Sequence, residues 1–202
     1  MRLHIQNVHL NFHPQPVMAA AILKAFAEQD RPANTDGPTV APAAAIALPR
    51  VGAFWPEQKG RFLGVMPGQD GHPDYALILP STPAANLGKR PWGEHGKTID
   101  GANCDFDGTS NTHAMAAAGN ALAKEILALD ADGFTGYFLM SRNELRLAYI
   151  AAADAFDKEE CHWSSTQSSS YYAWIQDFED GDQGSDDKDD ELQVRLARLI
   201  PL

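Results

Sequence analysis

The sequence predicts an α+β domain in which two helices flank a mostly antiparallel sheet, with long irregular loops and an N-terminal strand-helix extension. Three observations carry this. Short runs with the two-residue alternation of half-buried strands recur along the chain, two longer segments carry an apolar stripe at helical spacing, and residues 81–111 are mostly turn formers. At 202 residues and 44% hydrophobic content the chain can build one sizeable core, or one domain with a short appended segment.

Residues 3–12 alternate through Leu3 and Ile5 and, after a slip at Asn7, Val8, Leu10 and Phe12, which reads as one bulged strand ended by Pro14 and Pro16. Residues 17–29 have high helix propensity and set Met18, Ile22 and Phe26 along one stripe. The pair forms a strand-helix segment over residues 1–30, and the Pro/Ala-rich residues 31–50 form a linker to a main domain over 51–202. A strand and helix of this size cannot bury their own apolar faces. They dock on the main domain or make the chain a homo-oligomer, and the proline-rich tether favours the oligomer.

In the main domain, Arg61–Met66 and Tyr75–Leu79 flank the turn Pro67-Gly-Gln-Asp-Gly71 and form a hairpin. Residues 81–111 are expected to be ordered but irregular, anchored by Trp92 and Phe106. Thr112 is expected to cap one helix with the stripe Met115, Ala118, Leu122, Ile126 and Leu129, stopped at Asp130-Ala-Asp-Gly133. After a short strand at Tyr137–Leu139, Ser141-Arg-Asn-Glu144 has the form of a capping box and opens a helix with Leu145, Ala148, Tyr149, Ala152 and Phe156 on one face.

The C-terminal stretch organises the rest. From Trp174 to Phe178, Trp174, Gln176 and Phe178 alternate with Ile175 and Asp177, and Glu179-Asp180-Gly181 supplies a hairpin turn. The returning strand, Asp182 to Lys188, carries almost nothing apolar, so the hairpin is expected to turn one face inward and leave an outer face free. The candidate binding residues on that face are Ser168, Ser169, Tyr171, Tyr172, Ile175, Asp177, Glu179, Asp180, Asp182, Gly184, Ser185, Asp186 and Asp187.

Charge narrows the function. Between Asp177 and Glu191 nine acids face one base, Lys188, so −8 of the chain's net −11 sits in one stretch. That patch repels phosphate backbones, and nucleic acid is not an expected partner. No run approaches the length of a membrane span, and no secretory signal is read at the start, so neither membrane insertion nor general export is expected. Cys104 and Cys161 are far apart and are expected to be reduced. There is no G-x-S-x-G, Walker loop, H-E-x-x-H or G-x-G-x-x-G in a strand-turn-helix setting. His4, His9, His13 and His113 read as solvent-facing, and the adjacent Cys161 and His162 point to opposite faces of a strand. No catalytic residue, metal ligand or cofactor is assigned. The acidic run offers oxygen ligands for calcium but lacks the EF-hand order; it also reads as a solvated edge that deters strand-to-strand aggregation.

Several motifs in one order resemble a known family. Trp163-Ser-Ser-Thr-Gln167, Ala173-Trp174, Phe178-x-Asp180-Gly181-x-Gln183 and Val194-Arg195-x-x-Arg198 are similar to the C-terminal core of the formylglycine-generating-enzyme-like branch of the C-type lectin fold, which includes the variable proteins of diversity-generating retroelements. Upstream, Trp55-Pro56, Tyr75-Ala-Leu-Ile-Leu79, Asp107-Gly108-x-x-Asn111-Thr112 and Phe138-Leu-Met-Ser-Arg-Asn-Glu144 resemble the phage-encoded members. The resemblance implies a C-type lectin-like fold whose last strands form a ligand face. It also implies a phage or prophage receptor-binding protein, located on the virion or cell surface after assembly, with a protein or glycan partner on a cell. Enzymes of this branch use a nearby pair of C-terminal cysteines as copper ligands, and this chain has no second cysteine near Cys161, so that activity is not carried over. A calcium-dependent lectin and a formylglycine-generating enzyme are the alternatives.

The candidate residues other than Glu179 and Asp180 are drawn almost wholly from the amino acids reached when the adenines of an Asn codon are replaced, which is how a retroelement-diversified face looks. Tyr brings contact area at low entropic cost, and Ser and Asp bring adaptable hydrogen bonding. Deleting residues 1–45 is expected to lower the mass measured in solution by light scattering; an unchanged mass rejects self-association through this segment.

Overall fold

A computed structural model describes residues 46–202. The predicted strand over 3–12, the helix over 17–29 and most of the linker lie outside the described residues, and residues 46–50 form no regular element. The described chain is α+β, with nine strands in a mixed sheet and three α-helices.

The strands are β1 (Phe54–Trp55), β2 (Gly60–Met66), β3 (Tyr75–Pro80), β4 (Asn86–Pro91), β5 (Phe138–Leu139), β6 (His162–Gln167), β7 (Tyr172–Gln176), β8 (Gln183–Asp187) and β9 (Glu191–Pro201). The helices are α1 (Gly108–Ala117), α2 (Ala121–Leu127) and α3 (Arg142–Ala152). The sheet order is β1-β2-β3-β9-β6-β7-β8, with β4 and β5 also paired to β9. Among the described residues only β6 and β9 run parallel, through His162 and Gln193. β9 is the hub because its eleven residues pair in turn with β4, β5 and β3.

Both faces of the hub are buried. In the β5–β9 ladder Phe138 lies opposite Ala197 and Leu139 opposite Leu196. Leu139 and Leu196 join Trp92, Met115, Tyr137 and Trp163 in one core cluster. Phe138 and Ala197 join Leu63, Leu77, Leu145, Phe156 and Phe178 in another. Successive residues of a strand point to opposite faces, so one strand feeds both cores. The two arginines of Val194-Arg195-x-x-Arg198 tie this hub to its neighbours: Arg195 donates to the Pro80 carbonyl at 2.7 Å, while the Arg198 guanidinium lies 3.7 Å from the Phe134 ring centre and donates to the Gln58 carbonyl.

The first hairpin forms as expected, with a register shift between Phe62 and Gly64. Four expectations are corrected. The 81–111 segment contains β4, whose sequence Asn-Leu-Gly-Lys-Arg-Pro lacks an alternating apolar pattern but pairs with β9. Phe106 is 42% exposed and anchors nothing with its ring; its carbonyl instead accepts from Tyr75. Asp107, not Thr112, caps the first helix, accepting from the Ser110 amide at 2.8 Å, while Thr112 sits inside the helix with its hydroxyl on the Gly108 carbonyl. The long helix is two, because the chain turns at Gly119 with φ +92° and Asn120 caps the second.

The capping box at Ser141 and Glu144 is present and reaches well beyond the helix. The fully buried Glu144 carboxylate accepts from the Ser141 amide at 2.5 Å, the Gly108 amide at 3.1 Å and the Tyr75 hydroxyl at 2.5 Å. It therefore joins α3, the start of α1 and β3. Gly108 permits this approach, since a Cβ there would collide with the Glu144 carboxylate and the Leu139 carbonyl. Burial raises the Glu144 carboxyl from 4.5 to about 7, the hydrogen bonds from Tyr75 and Ser141 pull against the rise, and the nearby Asp107 adds to it. The neutral acid has a place for its proton: it can donate to the Tyr75 oxygen while Tyr75 donates to the Phe106 carbonyl at 3.0 Å.

A folded pKa above the unfolded one means that the native state holds the extra proton, so Glu144's contribution to stability is complete below pH 4.5 and is lost as pH rises toward 7. Glu144→Gln mimics the neutral acid and is expected to match the wild type at pH 4.5 and to exceed it by about 3 kcal/mol above pH 7. His162, which burial lowers to about 4, gives an opposite slope that is common to both proteins and cancels in the difference. Denaturant melts of both proteins across this range check it; a pH-independent difference refutes the shift.

Candidate binding face at the C-terminal hairpin

The polar motif on β6 is buried because it holds a loop. Ser164, Ser165 and Thr166 are all but inaccessible to solvent, and such groups must be paired or they cost on the order of 1–3 kcal/mol each. The Ser164 carbonyl accepts from Trp92 Nε1 at 2.8 Å, the Thr166 hydroxyl donates to the Cys104 carbonyl at 3.0 Å, and the Gln167 amide donates to the Ala102 carbonyl at 2.7 Å. Gln167 Oε1 accepts from the Ile99 amide at 2.9 Å. Asn111 completes the lattice, donating to the Cys104 carbonyl at 2.7 Å and to Ser165 Oγ at 3.2 Å. Trp163 Nε1 in turn donates to the Arg90 carbonyl at 3.0 Å.

Lys188, the one base in the acidic run, is not a surface residue. It is fully buried, its ammonium donates at 2.7 Å to both the Lys97 carbonyl and Gln167 Oε1, and it lies 4.7 Å from the Trp92 ring centre. Burial lowers its pKa to about 8. Its backbone joins that loop to the turn before β7, accepting from the Gly93 amide and donating to the Tyr171 carbonyl, each at 3.0 Å.

The hairpin of β7 and β8 has the expected turn, closed by the Asp177 amide on the Asp182 carbonyl at 2.9 Å. Gly181 has φ +89°, and a Cβ there would lie 2.5 Å from the Tyr149 ring, so only glycine fits. Trp174, Gln176 and Phe178 do share a face, which packs toward α3. Phe178 is fully buried and stacks on Phe156 at 3.8 Å. Trp174 is only half-buried, with the Arg142 guanidinium 3.5 Å from its ring centre. Arg142 and Gln183 exchange hydrogen bonds of 3.1 and 2.8 Å, which seats β8 on the start of α3.

The predicted outer face is divided. Ile175 lies opposite Trp163 and is half-buried against the first core cluster, so it does not project outward as expected. The reason is that β7 is covered in part on both sides. Several other candidates hold turns. Ser169 Oγ accepts from the Tyr171 and Tyr172 amides at 3.1 Å each, Asp177 accepts from the Glu179 amide at 2.7 Å, Asp180 from the Asp182 amide at 2.9 Å, and Asp186 from the Asp187 amide at 3.0 Å. Ser168, Tyr171, Tyr172, Glu179, Asp182, Gly184 and Ser185 are exposed, the two tyrosines by 48% and 43%. The free surface is thus a rim of turns and the edge strand β8.

Sequence reasoning missed one contributor to that rim. His95, on the loop Trp92-Gly-Glu-His-Gly-Lys97, packs its ring 4.7 Å from that of Tyr171 and sets Nε2 3.3 Å from Asp187 Oδ1. His95, Asp187 and Asp189 offer one ligand atom each within 4.8 Å of one another. The signal was present: a histidine between two glycines, beside an anchored tryptophan, is a tight presentation loop. A separate concavity of about 360 Å³ opens beside β4 and the α1–α2 junction, lined by Arg90, Trp92, Lys97, Asn120 and Leu122, and none of the predicted residues lines it. Cys104 and Cys161 are both free thiols, as expected. No helix among the described residues is long and apolar enough to cross a membrane. No protein-family model matches this chain, and no curated protein matches it.

The two aromatics of the α3-facing side are expected to differ. Phe178→Ala should cost about 3–5 kcal/mol, as at other buried aromatics. Trp174→Ala should cost about 1–2 kcal/mol, since it loses a partly exposed stack on Arg142. Urea melts of the two variants check the order; equal losses contradict it.

Proposed function

We propose that this chain is a binding protein: a C-type lectin-like display domain of the formylglycine-generating-enzyme-like branch that holds a protein or glycan on a cell surface. The observation that carries the reading is the pair of exposed tyrosines, Tyr171 and Tyr172, on a turn whose backbone is pinned by Ser169 and Lys188. Large exposed aromatics on a rigid support lose little entropy on binding and are the commonest anchors of recognition surfaces. Ser168, Asp182 and Ser185 add adaptable polar groups along the same rim, and among the described residues their side chains make no hydrogen bond to the framework. Variation at these positions leaves Trp92, Trp163, Lys188 and Arg142 untouched. This suits a retroelement-diversified variable protein of a phage or prophage, and the α+β architecture with its C-terminal hairpin supports that family.

The test is a library randomised at Ser168, Tyr171, Tyr172, Asp182 and Ser185, scored for soluble yield and panned on glycan arrays and intact bacterial cells. Most members are expected to stay within about 0.5 kcal/mol of the parent for each exposed change while binding is lost or redirected. General misfolding, or binding retained throughout the library, removes the reading. In the flanking DNA, a near-copy of the codons for residues 163–198 that differs at adenines is the expected mark of diversification.

A further inference from the structure

We propose that His95, Asp187 and Asp189 form a binding site for a divalent transition metal of the zinc class, beside Tyr171 on the rim of the C-terminal hairpin. This goes beyond the display function and does not depend on it.

Geometry brings the three ligands together from two segments. Asp187 ends β8 and Asp189 lies in the turn that follows; between them Lys188 is buried on the Lys97 carbonyl and Gln167, while Asp187 is partly exposed and Asp189 exposed. His95 is presented by a loop tied on either side of it: the Gly93 amide donates to the Lys188 carbonyl at 3.0 Å and the Gly96 amide to the Ser170 carbonyl at 3.1 Å. The Tyr171 ring packs on the imidazole and directs Nε2 toward Asp187. With metal–nitrogen and metal–oxygen bonds of about 2.0–2.2 Å, neighbouring ligands of a tetrahedral ion lie roughly 3.4 Å apart. His95 Nε2 and Asp187 Oδ1 are already 3.3 Å apart, and a carboxylate oxygen of the exposed Asp189 lies within 4.8 Å of both.

Asp187 Oδ1 lies against His95 Nε2 and makes no hydrogen bond among the described residues, while the Asp187 side chain as a whole is 42% exposed, so the pair is open to an ion from solvent. One imidazole with two carboxylates suits zinc, cobalt or nickel, whereas calcium takes six to eight oxygens and gains nothing from the histidine. Three protein ligands leave at least one coordination position open to solvent, next to the exposed tyrosines.

The experiment is calorimetric titration of the full chain with zinc chloride alone, with calcium chloride as the comparison, repeated on His95→Ala and Asp189→Asn. The expected result is a saturable zinc site whose affinity falls at least about tenfold in each variant, with a cobalt-loaded form whose visible absorption is lost in His95→Ala. Unchanged melting of both variants without metal shows that they fold. Three results overturn the proposal: no saturable zinc binding, zinc binding that survives His95→Ala and so belongs to other histidines, or calcium bound as well as zinc and indifferent to His95→Ala, as an acidic surface would do. In the first case the His95–Asp187 contact is an exposed ion pair and nothing more.

Discussion

A long segment with little repeating structure cannot be folded against a core unless its backbone amides and carbonyls find partners. In this chain that constraint falls on residues 92–111, and one strand meets it. β6 gives up apolar side chains at three consecutive positions, Ser164, Ser165 and Thr166, to offer hydroxyls and carbonyls to Cys104, Trp92 and Asn111. Gln167 and Lys188 extend the same service to Ile99 and Lys97. The loop, the two turns of the C-terminal hairpin and the β9 hub then share one hydrogen-bonded framework, and Glu144 repeats the device at the other end of the loop by tying Gly108 to α3 and β3.

This explains what could be read in advance. The strands with alternating or continuous apolar patterns, β2, β3 and β7, and the helix opened by Ser141 and Glu144 announce themselves through local chemistry. β4 does not, because Asn86–Pro91 is a partly exposed strand that exists only through its ladder to β9. The break between α1 and α2 was masked by alanines on both sides of Gly119, which keep the apolar stripe in phase across a turn. Lys188 was hidden for the opposite reason: seven of the acids around it are aspartates, and a lysine in such a run suggests an ion pair, whereas its partners are an amide oxygen and a carbonyl.

The candidate surface was legible in residue type more than in direction. Of the residues placed on the outer face, Ser168, Tyr171 and Tyr172 are exposed and Ser169 is partly buried. Period-two reasoning assumes one wet face and one dry face, and β7 has neither: Ala173 and Ile175 pack toward the first core cluster while Gln176 is buried toward α3. A rim built from strand ends, turns and a distant loop has no period at all. Its members, His95 among them, meet only in three dimensions.

The buried ammonium of Lys188 has a chemical consequence of its own. With a pKa near 8, a larger share of its amine is unprotonated at neutral pH than in an ordinary lysine, which makes it the better nucleophile once reached. Yet the folded chain closes it off completely, under the carbonyl of Lys97 and the ring of Trp92. An acylating or aldehyde-bearing reagent can react there only during an excursion that lifts the 92–97 loop. The same residue that fastens the loop therefore serves as a chemical clock for its opening, counting rare departures of residues 92–97 from the framework.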